Sequence, residues 1–190
     1  MWTDVVWSGL AGGAAAWCWG ALSWAMLPWH HATFRAFPAD AEDALARQLL
    51  AWCPESGVYG LPAPPRHAPG ATPQDRQRAD ERAHQQMVRG PVVTLVIQRT
   101  GFGSVPLAIA RAFVIYVLTS MLLAWLLTQM TPASYWHSVG IVTAVGGVVA
   151  LMARAVDWNW HGYSTSFTVV WMADHLIGAF VAGVVIALII

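Results

Sequence analysis

The chain contains no lysine; all ten of its basic residues are arginine. Charge of either sign is scarce. Only 11% of the 190 residues are charged, against roughly 25% in an ordinary soluble domain. The ten acids balance the ten arginines, so no basic surface invites nucleic acid. There are only two cysteines, Cys18 mid-way along an apolar run and Cys53 in a polar region. A bridge would drag one of them across a membrane interface, so two free thiols are expected and no redox compartment follows. Proline is missing from the interiors of the apolar runs and flanks them instead, at Pro28, Pro106 and Pro132. That argues against a transporter built on broken helices, for which only Gly146-Gly147 is a hint. No C-x-x-C, H-E-x-x-H or Walker pattern occurs. Ser164 or Ser166 with Asp174 and His175 supplies the residue types of a hydrolytic triad. There is no G-x-S-x-G elbow, however, and adjacent residues on a helix point about 100° apart. No catalytic residue is assigned, and the chain leans away from being an enzyme.

What the chain has in quantity is apolar surface and tryptophan. Its composition is 57% hydrophobic, mean hydropathy is +0.50 and there are 12 Trp. Spanning hydrocarbon takes about 20 apolar residues in a helix. Four stretches qualify: about Val5 to Leu27, Pro106 to Leu127, Ser138 to Val156, and Phe167 to Ile190. The first lacks a basic leader segment and is long for a signal peptide, so it is expected to be retained. The fold class is therefore a membrane all-α bundle of four transmembrane helices. Small residues at four-residue spacing (Gly9 and Gly13; Gly12, Ala16 and Gly20; Ala179, Gly183 and Ala187) would let the helices pack closely. Trp29, Trp158, Trp160 and Trp171 are expected as interface aromatics, where an apolar ring with one polar N–H is at home.

Three segments follow from this: helix one over 1–29, an extramembrane α/β module over 30–104, and helices two to four over 105–190. The middle segment is too long for a structureless connection. Asp40 reads as a helix N-cap, followed by Glu42 and Asp43, with Pro54 ending that helix. "GVYGLP" (57–62) reads as a strand and "APPRHAPGATP" (63–73) as a linker. Thr72-Pro73 opens a second helix, polar nearly all round and closed by Gly90. "PVVTLVIQ" (91–98) is a second strand, expected to pair with the first.

Four spans put both ends of the chain on one side, A, and the module on the other, B. Side B holds every Arg, together with His30, His31 and His161. Arg111 and Asp174 lie at similar depth from side B, have opposite sign, and are expected to form an intramembrane ion pair, because charges in spans face the bundle and find partners. At 100° per residue, His175 shares a face with Trp171, Gly178, Ala179 and Ala182, with Asp174 on its border. His175, with His30 and His31, is the candidate proton or cofactor site. Imidazole would suit a metal or haem iron, although adjacent histidines at a helix end also suit the interface.

Three stretches belong together: "WGALSWAMLPWH" (19–30), "SGVYGLP" followed later by "RGPVV", and "WNWHGYSTSFTVVWMADHLIG" (158–178). In them the chain resembles a family of uncharacterised bacterial four-helix integral membrane proteins. The resemblance implies topology and no activity. Relatives of that kind carry Lys or Arg before helix one, which implies a cytoplasmic N-terminus and a periplasmic module in the inner membrane; here "MWTD" stands in that place. The positive-inside rule taken literally would put side B in the cytoplasm, but it loses force over a loop longer than about 60 residues. The function expected is that of an accessory or assembly subunit, acting through contacts with lipid and with other membrane subunits. The alternatives are a proton, metal or haem site at side B, and a small oligomeric transporter.

Overall fold

The computed structural model describes residues 2–190 apart from Pro64, Arg66, Ala68 and Phe102, the first three of which fall in the Pro/Gly linker. Four helices are long and apolar enough to cross a membrane: α1 (Trp2–Met26), α5 (Val105–Thr128), α6 (Tyr135–His161) and α7 (Thr165–Ile186). All four match the spans expected from hydropathy, with ends that shift by a few residues. Two are capped at their side-B ends by serine: Ser104 Oγ accepts from Leu107 N–H at 3.3 Å, and Ser164 Oγ from Phe167 N–H at 3.2 Å. Each cap satisfies an amide that a helix start leaves without a partner.

The described residues form two compact units. One comprises the residues up to Arg35, Ser104–Asn159 and Tyr163–Ile190; the other comprises Ala36–Gly103 and Trp160–Gly162. The boundary after helix one therefore lies near residue 36 rather than 30. The reason is a short helix, α2 (Trp29–Thr33), which follows the Pro28 turn and packs against α7.

In the first unit α1 lies between α5 and α7. A Cβ on Gly9 would meet Met121, one on Gly13 would sit 2.5 Å from Val117 Cα, and one on Gly12 would meet Ile186. The Gly9-x-x-x-Gly13 spacing opens one face of α1 to α5, and Gly12 opens another to α7. α6 crosses α7 in the same way, Gly146 against Ala179 and Gly183 against Val142. The core gathers Val5, Ala16, Ala124, Leu127, Val142, Ala182 and Ile186, one or more from every span.

The second unit is the α/β module. α3 (Ala39–Trp52) starts after Pro38, so Asp40 sits inside its first turn rather than at the cap. There it still meets the positive end of the helix dipole. β1 (Gly57–Leu61) and β2 (Val93–Ile97) pair antiparallel, Tyr59 opposite Leu95. Arg99 ties the sheet to α3: its Nη1 donates to the carbonyls of Leu50 at 2.6 Å and Cys53 at 2.5 Å, acceptors that a helix C-terminus leaves open. α4 (Pro73–Arg89) carries a full capping box, with Asp75 N–H donating to Thr72 Oγ1 at 3.2 Å and Thr72 N–H to Asp75 Oδ2 at 3.3 Å. Gly90, at φ 71, closes it. Only Ala83 is buried on α4, as its polar sequence requires.

Both cysteines are free. Cys53, at 5% exposed, is closed to reagents in the folded module, so its labelling by a maleimide is expected to be slow in the native protein and fast in denaturant.

Candidate functional site

Asp174 is 7% exposed on α7, and its polar contacts come from α1 and α2. Trp19 Nε1 donates to Asp174 Oδ1 at 2.8 Å, and more weakly to the Asp174 carbonyl at 3.3 Å. His30 Nε2 stands 3.4 Å from Asp174 Oδ2 and 3.1 Å from Ser23 Oγ. Trp29 Nε1 donates to that same Ser23 Oγ at 2.9 Å. Ser23 lies one helical turn after Trp19 on α1, so both reach the same patch of α7. The Pro28 turn then brings His30 back onto this patch. Five residues from three helices thus form one buried polar node.

Aromatic rings enclose it. The His30 ring stacks on Trp24, with centroids 4.1 Å apart and an interplanar angle of 5°, and meets Trp29 and Trp171 edge-on at 5.6 Å. His30 is 0% exposed. Arg154 of α6 extends the assembly, its guanidinium carbon 4.7 Å from the Trp171 ring centroid, a cation–π contact, and its Nη1 3.5 Å from Asp157 Oδ2. Among the described residues, three buried side-chain nitrogens lack a hydrogen-bond partner: His30 Nδ1, Trp171 Nε1 and Arg154 Nε. All three belong to this one cluster. It is thus the least satisfied polar region of the bundle, where most buried polar groups find partners.

No family model, curated protein or solved structure matches the chain.

The expected Arg111–Asp174 pair is not formed. Among the described residues no ion pair reaches Arg111, whose side chain is exposed on α5. Depth was matched but azimuth was not. α5 turns Ala112 and Tyr116 partly inward while Arg111 lies on its exposed face, and Asp174 faces α1 and α2. The histidines also change places. His30 joins Asp174; His31 is exposed, its ring edge-on to Trp24 with centroids 6.3 Å apart. His175 is exposed as well, while the buried ridge of α7 is Asp174, Gly178, Ala182 and Ile186. This ridge has a strict four-residue spacing that passes through Asp174 and leaves His175 about 100° away.

Trp29 and Trp171, expected at the interface, are walls of the node. Trp158 and Trp160 remain on the surface, at 48% and 74% exposed. Trp19, Ser23 and Trp24 were not singled out by sequence, although all lie in "WGALSWAMLPWH".

A metal does not fit. Among the described residues no group of three or more His, Cys, Asp or Glu side chains is placed to hold one. A haem axial ligand is no better served, since His30 Nε2 is taken by Ser23 and Asp174 and its ring is covered by Trp24.

Beside the node lies a cleft of about 460 Å³. α1 contributes Ala16 and Trp19, α5 Tyr116, Thr119 and Ser120, α6 Gly146, and α7 Asp174 and His175. Asp174 therefore borders both the node and the cleft.

Proposed function

We propose that the chain is a bacterial inner-membrane protein that works through protein contacts, as an accessory or assembly subunit of a larger membrane complex. The observation that carries this reading is Arg111. It is the seventh residue of α5, about 9 Å along the helix at 1.5 Å per residue, and it is exposed within an apolar span. No hydrogen bond or ion pair reaches it among the described residues. A guanidinium in a span is expensive unless something answers its charge. A carboxylate on a neighbouring subunit would do so with bidentate geometry.

A photo-crosslinking residue at Leu118 tests this. Leu118 lies two turns along the same face as Arg111 and is 55% exposed. One discrete protein adduct is expected there, lost in the Arg111→Leu variant and absent from a probe at Val148 on α6. Adducts to lipid alone at Leu118 would contradict the reading.

The same proposal puts both termini in the cytoplasm and residues 30–104 in the periplasm, on the strength of the resemblance. Because Cys53 is buried, the reporter has to be elsewhere. Gln85 is exposed on α4. In a background with Cys18 and Cys53 replaced by alanine, Gln85→Cys is expected to react with a membrane-impermeant maleimide in intact spheroplasts. Protection until lysis would reverse the orientation.

A further inference from the structure

The cleft beside Asp174 has a chemistry of its own. Most of its lining is small or apolar, including Gly146 of α6 and Gly178, Ala179 and Ala182 of α7, with Gly146 and Ala179 in close contact. Hydrogen-bonding groups interrupt that lining from two opposed helices. α5 supplies the hydroxyls of Tyr116, Thr119 and Ser120, and α7 supplies His175.

None of the three hydroxyls makes a hydrogen bond within the described residues. Ser120 is the telling one. It is 2% exposed, lines the cleft and has no partner. Its hydroxyl opens onto the cleft rather than into packed protein, so a polar ligand there would pair with it where hydrocarbon offers no water. His175 is held in one tautomer. Its Nδ1 lies 2.7 Å from the Trp171 carbonyl oxygen; a carbonyl only accepts, so Nδ1 donates. The neutral ring then carries its lone pair on Nε2.

The cleft thus offers hydroxyl donors on one wall and a lone-pair acceptor on the other. Its volume is within the roughly 300–1,000 Å³ usual for small-molecule sites. Its lining suits a neutral ligand better than a charged one. No cationic side chain lines it, and the one acid, Asp174, is already engaged at both oxygens by Trp19 and His30.

We infer that this cleft binds the head group of a lipid-soluble quinol: a flat, neutral ring that donates a hydroxyl to His175 Nε2 and accepts at its far oxygen from the α5 hydroxyls. The inference concerns binding and no redox step. It is independent of the protein contacts at Arg111, because Arg111 does not line the cleft.

The test is titration of a short-chain ubiquinol, kept reduced, into the purified protein in nanodiscs of defined phospholipid, read by calorimetry. Saturable binding of about one quinol per chain is expected. Ser120→Ala and His175→Phe should each weaken it about tenfold, the loss expected for one buried hydrogen bond. Thr119→Trp, which fills the cleft, should abolish it. Met172→Leu, on α7 but outside the cleft, should leave it unchanged. Each variant is first required to match the wild type in elution volume and circular dichroism. Absence of saturable binding to folded wild-type protein overturns the inference, as does binding that survives Thr119→Trp. A phospholipid retained through purification and lost in Thr119→Trp would assign the cleft to that lipid instead, and also overturns it.

Discussion

Replacing Asp174 with leucine is expected to destabilise the bundle by about 2–4 kcal/mol. The carboxylate answers two buried groups at once, the Trp19 indole N–H at 2.8 Å and the His30 ring at 3.4 Å. Leucine fills a similar volume but accepts nothing. Trp19 then keeps a desolvated donor without a partner, and His30, whose Nδ1 already lacks one, retains only Ser23. The loss should be concentrated where α2 meets α7, because His30 is the polar link between them. Asp174→Asn keeps an acceptor for Trp19 and should cost less than half as much. The measurement is a denaturant or SDS titration of the purified protein followed by Trp fluorescence. Equal midpoints for wild type and Asp174→Leu would show that the node contributes nothing.

Gly13→Leu is expected to cost about 3 kcal/mol or more, at the upper end for overpacking, and to separate α1 from α5. A single Cβ at Gly13 would already lie 2.5 Å from Val117 Cα and 2.8 Å from Val117 N. These are backbone atoms, so no side-chain rotation can relieve the clash. One turn away a Cβ on Gly9 would lie 2.8 Å from Met121 Cα, so the two helices cannot simply pivot about that point. Gly20 provides the contrast. Its Cβ would meet the Tyr116 hydroxyl at 3.0 Å and Cζ at 3.6 Å, both at the far end of a side chain able to turn. Gly20→Ala should therefore cost less than about 1 kcal/mol, since a few tenths of an ångström of movement suffices. Unfolding midpoints for the two variants, compared side by side, read the difference. Equal tolerance at Gly13 and Gly20 would mean that α1 and α5 do not touch where the structure puts them.

Much of the fold was legible because it is written locally. Length and apolarity mark the four spans without any knowledge of their neighbours. Thr72, Pro73, Asp75 and Gly90 announce α4 through groups a few residues apart. The two strands carry β-rich runs, and their pairing had few alternatives. The site was harder, for reasons that particular residues show. Arg111 and Asp174 were placed correctly along their helices, but rotation about a helix axis changes by 100° per residue. Ala112, not Arg111, turns inward, and that single step decides whether the pair can meet. The same step exchanges the roles of Asp174 and His175: small residues at 178, 179, 182 and 183 permit more than one close-packing ridge, and only the neighbouring helices choose between them.

His30 was beyond reach for another reason. Its burial depends on α2 folding back after Pro28, which brings together residues 144 positions apart in the sequence, His30 and Asp174. One signal of the site does lie in the sequence. Trp19 and Ser23 lie four apart and so share a helix face, a polar pair of indole and hydroxyl on the last turns of an otherwise apolar span. That face had to meet something polar, and the only acid within an apolar span's interior was Asp174.

The most direct test is a double-mutant cycle on His30 and Asp174, with leucine at each position and stability read by reversible unfolding in detergent. If the two side chains form one node, the double variant loses at least about 1 kcal/mol less than the sum of the single losses, because each single change strands a partner that the double change removes. Losses that add within about 0.3 kcal/mol would mean that His30 and Asp174 act separately and that the polar node does not hold α2 to the bundle.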